Sequence, residues 1–413
     1  MTTGLCYHIG MIVFHIDANS AYLSWTAVER LKAGEPDDIR LIDAAIAGDP
    51  KTRRGIILAK SESAKARGVR TGETVQEAAR KCPGLALFAP DHDLYARYSD
   101  AMYEALSRYS PVIERFSIDE CYLDYTASEA LFGPPLEAAH RLKDEIKRDL
   151  GFTVNVGVSV NKILAKMGSE LEKPDKVHSL FPDEIAEKMW PLPVGDLFSV
   201  GRSARTRLTG AGIRTIGDVA RADRGFLMSL LGEAHGGGIH DFANGIDDSP
   251  VTPSDERDRK GIGNSMTTAS DVTTVEAADK ALLLLCDKAG SRLRKHGGYA
   301  KVIAVSMRPS DFSKRAYGHQ RRLDIPVDTT DAIYKEAKAL FREVWKGEPV
   351  RNIGVYFNEI ADSREGQLSM FGNGPCGMPG EGAAEESEKS EELDKTVDMI
   401  RERFGKDALK RGM

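Results

Sequence analysis

Two adjacent carboxylates, Asp119 and Glu120, separate two short β-prone runs at residues 112–118 and 121–125. Branched and aromatic residues dominate both runs, so the sequence predicts a hairpin with the acidic pair in its turn. Strand alternation then directs Phe116 and Ile118 into the core. A hard divalent cation such as Mg²⁺ binds through one or two carboxylates and substrate phosphates, so this turn suits a phosphoryl-transfer site. The alternative is an ordinary solvated loop.

A further carboxylate, Asp17, ends a mostly apolar run at residues 11–17, and a helical run at residues 21–32 follows it. The sequence therefore predicts a strand that ends in an acidic residue. If this strand lies beside the hairpin in one sheet, Asp17, Asp119 and Glu120 form a cluster able to hold two metal ions about 3.5–4 Å apart. The alternative role of Asp17 is to cap the helix that follows.

Strands and helices alternate through the first 180 residues. A helix at about residues 136–150 and a strand at residues 152–160 follow the hairpin, which gives the order βαββαβ. This order predicts a split βαβ sheet. Residues 34–90 are rich in Gly, Pro and charge, and they indicate a small inserted subdomain between the first helix and the hairpin.

The length and composition indicate a protein of several domains, since 413 residues exceed one ordinary core. The five cysteines have no paired spacing, which favours reduced thiols over disulfides or a zinc site. No apolar run is long enough to span a membrane, and residues 11–16 are too few for a signal peptide. We therefore predict a cytoplasmic protein.

Charge is distributed unevenly along the chain, whose net charge is −6. Residues 288–322 carry ten Lys and Arg side chains against one Asp. Such a basic segment is typical of a surface that contacts a nucleic-acid backbone, although a solvated face has the same composition.

A helix is predicted from residue 161, with Ile163, Leu164 and Met167 on its buried stripe and Lys162 and Lys166 projecting. Lysines beside a carboxylate site can neutralise a triphosphate, whereas the alternative is an amphipathic helix with solvated lysines.

Residues 192–221 have the pattern of a helix-hairpin-helix, whose turn at residues 199–201 would offer backbone N–H groups to a DNA phosphate. The turn residue Gly201 is followed by Arg202, Arg205 and Arg207. Two structural helices joined by a glycine turn would explain the glycines but not the arginines.

Together these motifs, in this order, resemble the Y-family translesion DNA polymerases from residue 11 to about residue 360. The resemblance rests on the strand ending in Asp17, FSIDE at residues 116–120, NKILAKMGSELEKPD at residues 161–175 and the helix-hairpin-helix. It implies an α+β multidomain right hand. The implied domains are a split βαβ (ferredoxin-like) palm at residues 1–18 and 91–180, fingers at 19–90, a helix-hairpin-helix thumb at 181–250, an α/β little finger that binds DNA at 255–360, and a flexible tail with a C-terminal helix at 361–413.

The resemblance also implies roles for individual residues. Asp17, Asp119 and Glu120 match the ligands of two Mg²⁺ ions, with the Ala18 carbonyl joining them, and Tyr22 matches the steric gate that blocks a ribose 2′-OH. The residues that match the triphosphate-binding positions are Lys65 and Lys173. Many members place Tyr where this chain has Glu62, which weakens the assignment in the fingers.

The branch of the family stays open at this point. Asn19 stands where the polymerase IV branch has a second Asp, a feature shared with the polymerase V catalytic subunit.

The implied partners are primer–template DNA, an incoming deoxynucleoside triphosphate and the sliding clamp (β subunit), for a monomeric enzyme. In the little finger, the predicted DNA contacts are Arg292, Arg294, Lys301 and Arg308. In the tail, Gln367, Leu368, Met370 and Phe371 belong to QLSMF, which resembles the bacterial clamp-binding motif.

The function that the resemblance implies is error-prone, template-directed DNA synthesis across damaged templates, by two-metal addition of deoxynucleotides to a primer 3′-OH. A non-catalytic DNA-binding scaffold is the alternative, and a two-metal nuclease is a third possibility. Clustered carboxylates would serve no purpose in a scaffold, and a nuclease would not need triphosphate lysines or a steric gate.

Overall fold

A computed structural model describes residues 10–49, 55–253, 261–363, 381–405, 408, 409 and 411. They form two compact units, one within residues 10–253 and the other within residues 261–411. None of the helices in these ranges is long and apolar enough to cross a membrane. The four clamp-motif residues named above, Gln367, Leu368, Met370 and Phe371, lie outside the described residues.

The first unit contains eight strands and eleven helices among its described residues. The strands are β1 (Val13–Ala18), β2 (Ala44–Ala47), β3 (Ile57–Lys60), β4 (Ala86–Phe88), β5 (Ile113–Arg115), β6 (Glu120–Asp124), β7 (Val154–Ser159) and β8 (Val177–Ser179). The helices are α1 (Ala21–Lys32), α2 (Glu62–Ala66), α3 (Val75–Lys81), α4 (His92–Ser107), α5 (Glu129–Phe132), α6 (Pro135–Leu150), α7 (Lys162–Glu170), α8 (Arg202–Gly210), α9 (Ile216–Arg221), α10 (Arg224–Leu231) and α11 (Glu233–Ala243).

A five-stranded sheet with the strand order β5-β6-β1-β7-β8 organises the first unit. Strand β1 pairs antiparallel with both β6 and β7, while β8 runs parallel to β7. The predicted split βαβ arrangement is thus present, with α4 leading into the hairpin. Because β1 is central, residues at its end meet side chains from two neighbouring strands.

Alternation along β1 divides its side chains between two layers. Phe14 and Ile16 belong to a large apolar core that includes buried residues of α1, α4 and α6, such as Trp25. His15 and Asp17 point to the opposite face, where His15 contacts Ser169 of α7. Residues that approach α7 are therefore the ones available for a site.

Helix α7 lies unusually close to the sheet because β7 has a glycine at the crossing point. A Cβ at Gly157 would lie 1.9 Å from the carbonyl oxygen of Ala165, so no larger residue fits. Gly157 is also the register partner of His15. The close approach brings the polar residues of α7 against the end of β1.

The inserted segment between α1 and α4 has a core of its own. Strand β2 pairs antiparallel with β3 and parallel with β4. A small apolar cluster supports this sheet together with α2 and α3, and its buried members are Ala45, Ala47, Ile57, Ala64, Val69, Val75, Ala78 and Cys82. Other residues of the same sheet, Ala44, Ile46 and Ala59, belong to the core of the central sheet, so the predicted subdomain shares that core. Buried residues of α1 belong instead to the core of the central sheet.

Helices α8 to α11 surround another core, with Leu208, Ile216 and Leu227 among its fully buried residues. The turn at Ser199 precedes α8, whose N-cap is Gly201, and Ser199 has a left-handed φ of 74°. The helix-hairpin-helix prediction expected a helix on each side of this turn. Before the turn, the structure has a 3₁₀ turn, Val194–Asp196, where a helix was predicted.

The second unit is a four-stranded sheet covered by helices. Its elements are β9 (Ile262–Val272), α12 (Val275–Lys295), β10 (Tyr299–Pro309), β11 (Tyr317–Val327), α13 (Thr330–Val344), β12 (Val350–Ala361) and α14 (Glu381–Phe404). The strands are all antiparallel, in the order β11-β10-β12-β9. Residues of α12 and α13 share one core with the inward-facing residues of the sheet. Strand β10 lies within the basic segment of residues 288–322.

The C-terminal helix lies in the segment that was expected to be a flexible tail, residues 361–413. Helix α14 begins at Glu381, and Asp394 within it is completely buried. The Asp394 carboxylate accepts hydrogen bonds from the backbone N–H and the hydroxyl of Thr330, at 2.8 and 2.9 Å. Polar contacts to α13 hold this helix in place. The apolar content of the sequence gives no indication of such contacts.

Candidate active site

The three predicted metal ligands lie side by side on neighbouring backbone segments. Asp17 on β1 is the register partner of Glu120 on β6. The backbone N–H of Ala18 donates to the carbonyl of Asp119 at 3.0 Å. The structure therefore brings together the end of β1 and the acidic pair of the hairpin.

The hairpin itself is shifted from its predicted position. Strand β5 ends at Arg115 and β6 begins at Glu120, so the turn consists of residues 116–119 and Glu120 belongs to a strand. The Glu120 carbonyl accepts hydrogen bonds from the N–H groups of Phe116 and Ser117, which fixes this turn. As a result Phe116 is 40% exposed instead of entering the core.

Lysines from the α7 region pair with two of the carboxylates. Lys166 Nζ lies 2.9 Å from Glu120 Oε2, and Lys173 Nζ lies 2.6 Å from Asp17 Oδ2 and 2.8 Å from Glu170 Oε1. Within the described residues, no three His, Cys, Asp or Glu side chains are grouped so as to hold a metal ion. The backbones converge as predicted, but the Asp17 and Glu120 side chains face ammonium groups, because each carboxylate pairs with the nearest cation.

We call the group formed by Asp17, Asp119 and Glu120 the acidic corner. Burial controls its electrostatics. Burial raises the pKa of Asp17; Lys173 opposes that rise, and the nearby Glu120 charge adds to it. Burial also acts to raise the pKa of Glu120, but the neighbouring His15 and Lys166 outweigh it and lower that pKa to about 2. A buried carboxylate whose ionised form remains disfavoured despite a lysine partner gains from additional positive charge. Asp17 is therefore the carboxylate of this pair whose chemistry suits a divalent cation.

His15 is a site residue that the sequence analysis did not identify. It is completely buried, with Nδ1 2.7 Å from Ser169 Oγ and Nε2 3.5 Å from Glu120 Oε2. Burial lowers the pKa of His15 to about 4, so the ring is neutral at physiological pH. The available signal was the position of a His two residues before Asp17 on an otherwise apolar strand.

Tyr22 extends from the first turn of α1 beside the acidic corner. Its ring stacks on Tyr95 with a centroid distance of 4.2 Å and an interplanar angle of 5°. Burial raises the pKa of the Tyr22 hydroxyl, and the nearby Asp119 charge raises it further. This ring has a fixed orientation close to one of the predicted ligands.

Lys65 has a different environment from Lys173. It lies on α2, and its Nζ is 3.3 Å from a carboxylate oxygen of Glu62. Both side chains are more than half exposed. Lys173 thus contacts the acidic corner directly, whereas Lys65 is paired within the inserted segment.

The three arginines after Gly201 differ in the contacts of their side chains. Arg202 and Arg205 are exposed in the first turn of α8, next to the N-cap. The guanidinium of Arg207 instead donates to the carbonyl of Leu230 at 3.0 Å, on α10. The first two therefore fit the predicted phosphate contact better than the third.

The predicted DNA contacts of the second unit are distributed over two layers. Lys301 and Arg308 lie on β10, and Arg308 is exposed. Arg292 and Arg294 lie on α12, which covers the sheet. The Arg292 guanidinium is exposed and donates to the carbonyl of Gly263.

Arg294 differs from its predicted role. Its side chain is only 10% exposed and pairs with Asp394 at 3.2 Å and with Asp398 at 2.8 Å. Both carboxylates belong to α14. Arg294 therefore anchors the C-terminal helix and is not presented to a DNA backbone.

Comparison with known proteins agrees with these observations. The model of the impB/mucB/samB family matches residues 16–170, and the model of that family's C-terminal domain matches residues 259–370. A protein named DNA polymerase IV from Clostridium acetobutylicum is 43% identical over 403 residues, which cover 97% of this chain and 98% of the relative. Another of the same name, from Acetivibrio thermocellus, is 36% identical over 405 residues and 97% of each chain.

A solved structure extends the similarity to the fold. A Y-family DNA polymerase chimera matches with a TM-score of 0.73 and 24% identity, covering 86% of this chain and 100% of the chimera. The chain belongs to the impB/mucB/samB family, the Y-family DNA polymerases, and it is a DNA-directed DNA polymerase.

Proposed function

We propose that the chain adds deoxynucleotides to a primer 3′-OH during synthesis across damaged templates, with Asp17, Asp119 and Glu120 as its metal ligands. The observation that carries this proposal is the sheet register that sets Asp17 opposite Glu120 and bonds Ala18 to Asp119. Strands β1 and β6 thereby hold Asp17 and Glu120, and the turn before β6 holds Asp119, at one end of the sheet. Ligands on strands are positioned more precisely than ligands on loops.

Membership of the family implies a divalent metal requirement, and we propose two Mg²⁺ ions. When bound, such ions stabilise the attacking and leaving oxygens of phosphoryl transfer. Asp17 and Glu120 would hold them together with Asp119 and the Ala18 carbonyl. The burial of Asp17 favours this assignment, because a buried carboxylate is stabilised by added positive charge.

Lys173 and Lys65 are proposed to bind the triphosphate. The position of Lys173 supports this role, since its ammonium group lies between the carboxylates of Asp17 and Glu170. Arrival of a triphosphate would give Lys173 an alternative anion, while Glu170 keeps the side chain near the site. For Lys65, the ion pair with Glu62 would have to open first.

Tyr22 is proposed to exclude ribonucleotides. Its stacking on Tyr95 prevents the ring from turning away from a 2′-OH. The Asp119 charge, together with burial, raises the pKa of the Tyr22 hydroxyl, which supports a position of the ring near the proposed metal site.

For DNA binding, we propose that residues 1–18 and 91–180 act as palm, 19–90 as fingers, 181–250 as thumb and 255–360 as little finger. Primer–template DNA and a deoxynucleoside triphosphate are the substrates. Phosphate contacts are assigned to Gly201, Arg202, Arg205, Arg207, Arg292, Lys301 and Arg308. All five arginines are exposed, but Arg207 and Arg292 donate to backbone carbonyls, so Arg202, Arg205 and Arg308 are the best supported.

We also propose that a monomer binds a sliding clamp through Gln367, Leu368, Met370 and Phe371. Support comes from the sequence alone, because an aliphatic and an aromatic anchor follow the last basic domain. A cytoplasmic location is proposed because chromosomal DNA lies there in the bacteria that supply the relatives.

Primer extension on damaged and undamaged templates tests this function. The parent protein should extend both primers with Mg²⁺ and neither after chelation. Asp17→Asn should remove extension while retaining primer–template binding, and Asp183→Asn, an exposed carboxylate of the same unit, should behave like the parent. Template binding by the parent without any extension would instead identify a DNA-binding scaffold.

A further inference from the structure

Two asparagines form a direct amide pair beside the acidic corner. Asn19 follows the end of β1, and its Nδ2 donates to Oδ1 of Asn155 on β7 at 3.1 Å. Asn155 is completely buried and is the register partner of Asp17. The pair therefore links the strand that carries a proposed metal ligand to the strand on its other side.

The two amides also hold the segment that contains Lys173. Asn19 Oδ1 accepts from the backbone N–H of Asp175 at 3.0 Å. Asn155 Nδ2 donates to the carbonyl of Glu172 at 2.6 Å, and Asn155 Oδ1 accepts from the N–H of Lys176 at 3.3 Å. Backbone groups on both sides of Lys173 are thus bonded to one amide pair.

These contacts fix the orientation of both amides. Asn155 Nδ2 donates to the carbonyls of Ser169 and Glu172, which uses both of its protons. Only Oδ1 of Asn155 faces Asn19, so residue 19 must supply a donor. Asn19 Oδ1 already accepts from Thr153 Oγ1 at 3.0 Å as well as from Asp175.

An aspartate at position 19 could not form this arrangement. Its carboxylate has acceptors only, so it would face Asn155 Oδ1 without a proton between them. Turning the Asn155 amide over would break its two bonds to backbone carbonyls, which are buried and would then lack donors. This accounts for Asn19 at a position where the polymerase IV branch is expected to have Asp.

We propose that Asn19 and Asn155 are positioning residues that hold Lys173 at the correct distance from Asp17 for binding the nucleotide triphosphate. The inference rests on the proposed role of Lys173. The 2.6 Å contact between Lys173 and Asp17 shows that the segment already places the ammonium group at the acidic corner. Loosening the amide pair shifts Lys173 and weakens nucleotide binding without removing a metal ligand.

Steady-state single-nucleotide insertion tests this inference with Asn19→Asp. The KM for the nucleotide should rise about tenfold, the effect of leaving one buried acceptor unpaired. The kcat and the Kd for primer–template should change less than twofold. Lys173→Ala provides the reference for complete loss of the contact and should raise KM at least as much.

Asn244→Asp is the matched control, since Asn244 also donates to two backbone carbonyls, those of Ala220 and His240, but is the C-cap of α11. It should keep the parent KM. If melting curves show that Asn19→Asp does not fold, Asn19→Ala replaces it, because Ala removes the bond without adding charge.

A parent-like KM in the folded Asn19 variant, together with a raised KM in Lys173→Ala, would overturn the inference. A lowered kcat at unchanged KM would also overturn the inference, since Asn19 would then act together with the metal ligands and not on nucleotide binding. Parent KM in Lys173→Ala would remove the proposed role of Lys173 and the inference with it. Absence of extension by the parent would refute the proposed function itself.

Discussion

Replacing Glu120 by Ala separates its proposed metal role from its structural role. In the protein Glu120 is paired with Lys166, and the two side chains are 19% and 10% exposed. Glu120→Ala leaves this ammonium group without its carboxylate, which costs about 3 kcal/mol when a largely buried pair is broken. Lys166 Nζ also lies 5.4 and 5.6 Å from the ring centroids of Phe116 and Phe198. These contacts stabilise the remaining ammonium group and offset about 1 kcal/mol of that cost.

The expected loss of stability is therefore about 2 kcal/mol, or a fall in Tm of about 4–8 °C for a unit of this size. Extension should fall by more than about 100-fold, because losing even an outer partner of a metal ligand costs 10–100-fold. Primer–template affinity should stay within twofold, since it depends on phosphate contacts elsewhere. Thermal denaturation, single-nucleotide extension and fluorescence anisotropy measure the three quantities.

A second substitution distinguishes the two roles of Glu120. Adding Lys166→Met to Glu120→Ala removes the stranded charge and should recover most of the Tm without recovering extension. Recovery of extension in the double variant would refute the reasoning, because Glu120 would then serve only to neutralise Lys166. Glu29→Ala is the control: its carboxylate, 49% exposed, lies 3.8 Å from Arg97, so its loss should cost less than about 1 kcal/mol and leave extension unchanged.

The remaining predictions concern other parts of the chain. Tyr22→Ala should raise ribonucleotide insertion relative to deoxynucleotide insertion; equal discrimination in parent and variant would make Tyr22 a packing residue only. Replacing Leu368 and Phe371 with Ala should remove stimulation by a loaded clamp while leaving extension by the free enzyme and the Tm unchanged; a lowered Tm with retained stimulation would contradict the tether. Arg294→Ala should lower the Tm and leave DNA affinity unchanged, whereas Arg308→Ala should weaken DNA binding and reduce its salt dependence without lowering the Tm; the opposite pattern would restore Arg294 as a DNA contact.

The sequence predicted the parts of the site that depend on local pattern. An apolar strand ending in Asp17 and a β-prone hairpin around Asp119 and Glu120 are visible as short periodic runs. Their antiparallel pairing follows once both strands belong to one split βαβ sheet. The register of Asp17 against Glu120 confirms this expectation.

Contacts between distant segments could not be predicted in the same way. The helical stripe of α7 predicted a projecting Lys166 and left open whether it lies beside the carboxylates or in solvent, but Lys166 is buried and pairs with Glu120 beside the rings of Phe116 and Phe198. A count of charge along the chain assigned Arg294 to DNA, although Asp394, one hundred residues later, is its partner. Periodicity describes one element at a time and contains no information on what packs against it.

Asn155 shows the same limit most clearly. It lies within an apolar strand, where the alternation of side chains does not predict the contacts of a polar residue. Its partners come from residue 19 and from the segment after α7. The pairing of β1 with β7 brings Asn19 to Asn155, and the close packing of α7 on Gly157 accompanies the approach of the following segment. The departure of Asn19 from the family pattern was visible in the sequence, but its reason was not.

The central position of β1 explains why one short strand can serve both metal binding and nucleotide positioning. Asp17 has two register partners, Glu120 on one side and Asn155 on the other. The first supplies a second carboxylate for the proposed metal site, and the second bonds to the segment that carries Lys173. Because side chains alternate along a strand, a slip of one residue in β1 would turn Asp17 and His15 into the apolar core. The apolar residues of β1 therefore fix the register on which both halves of the site depend.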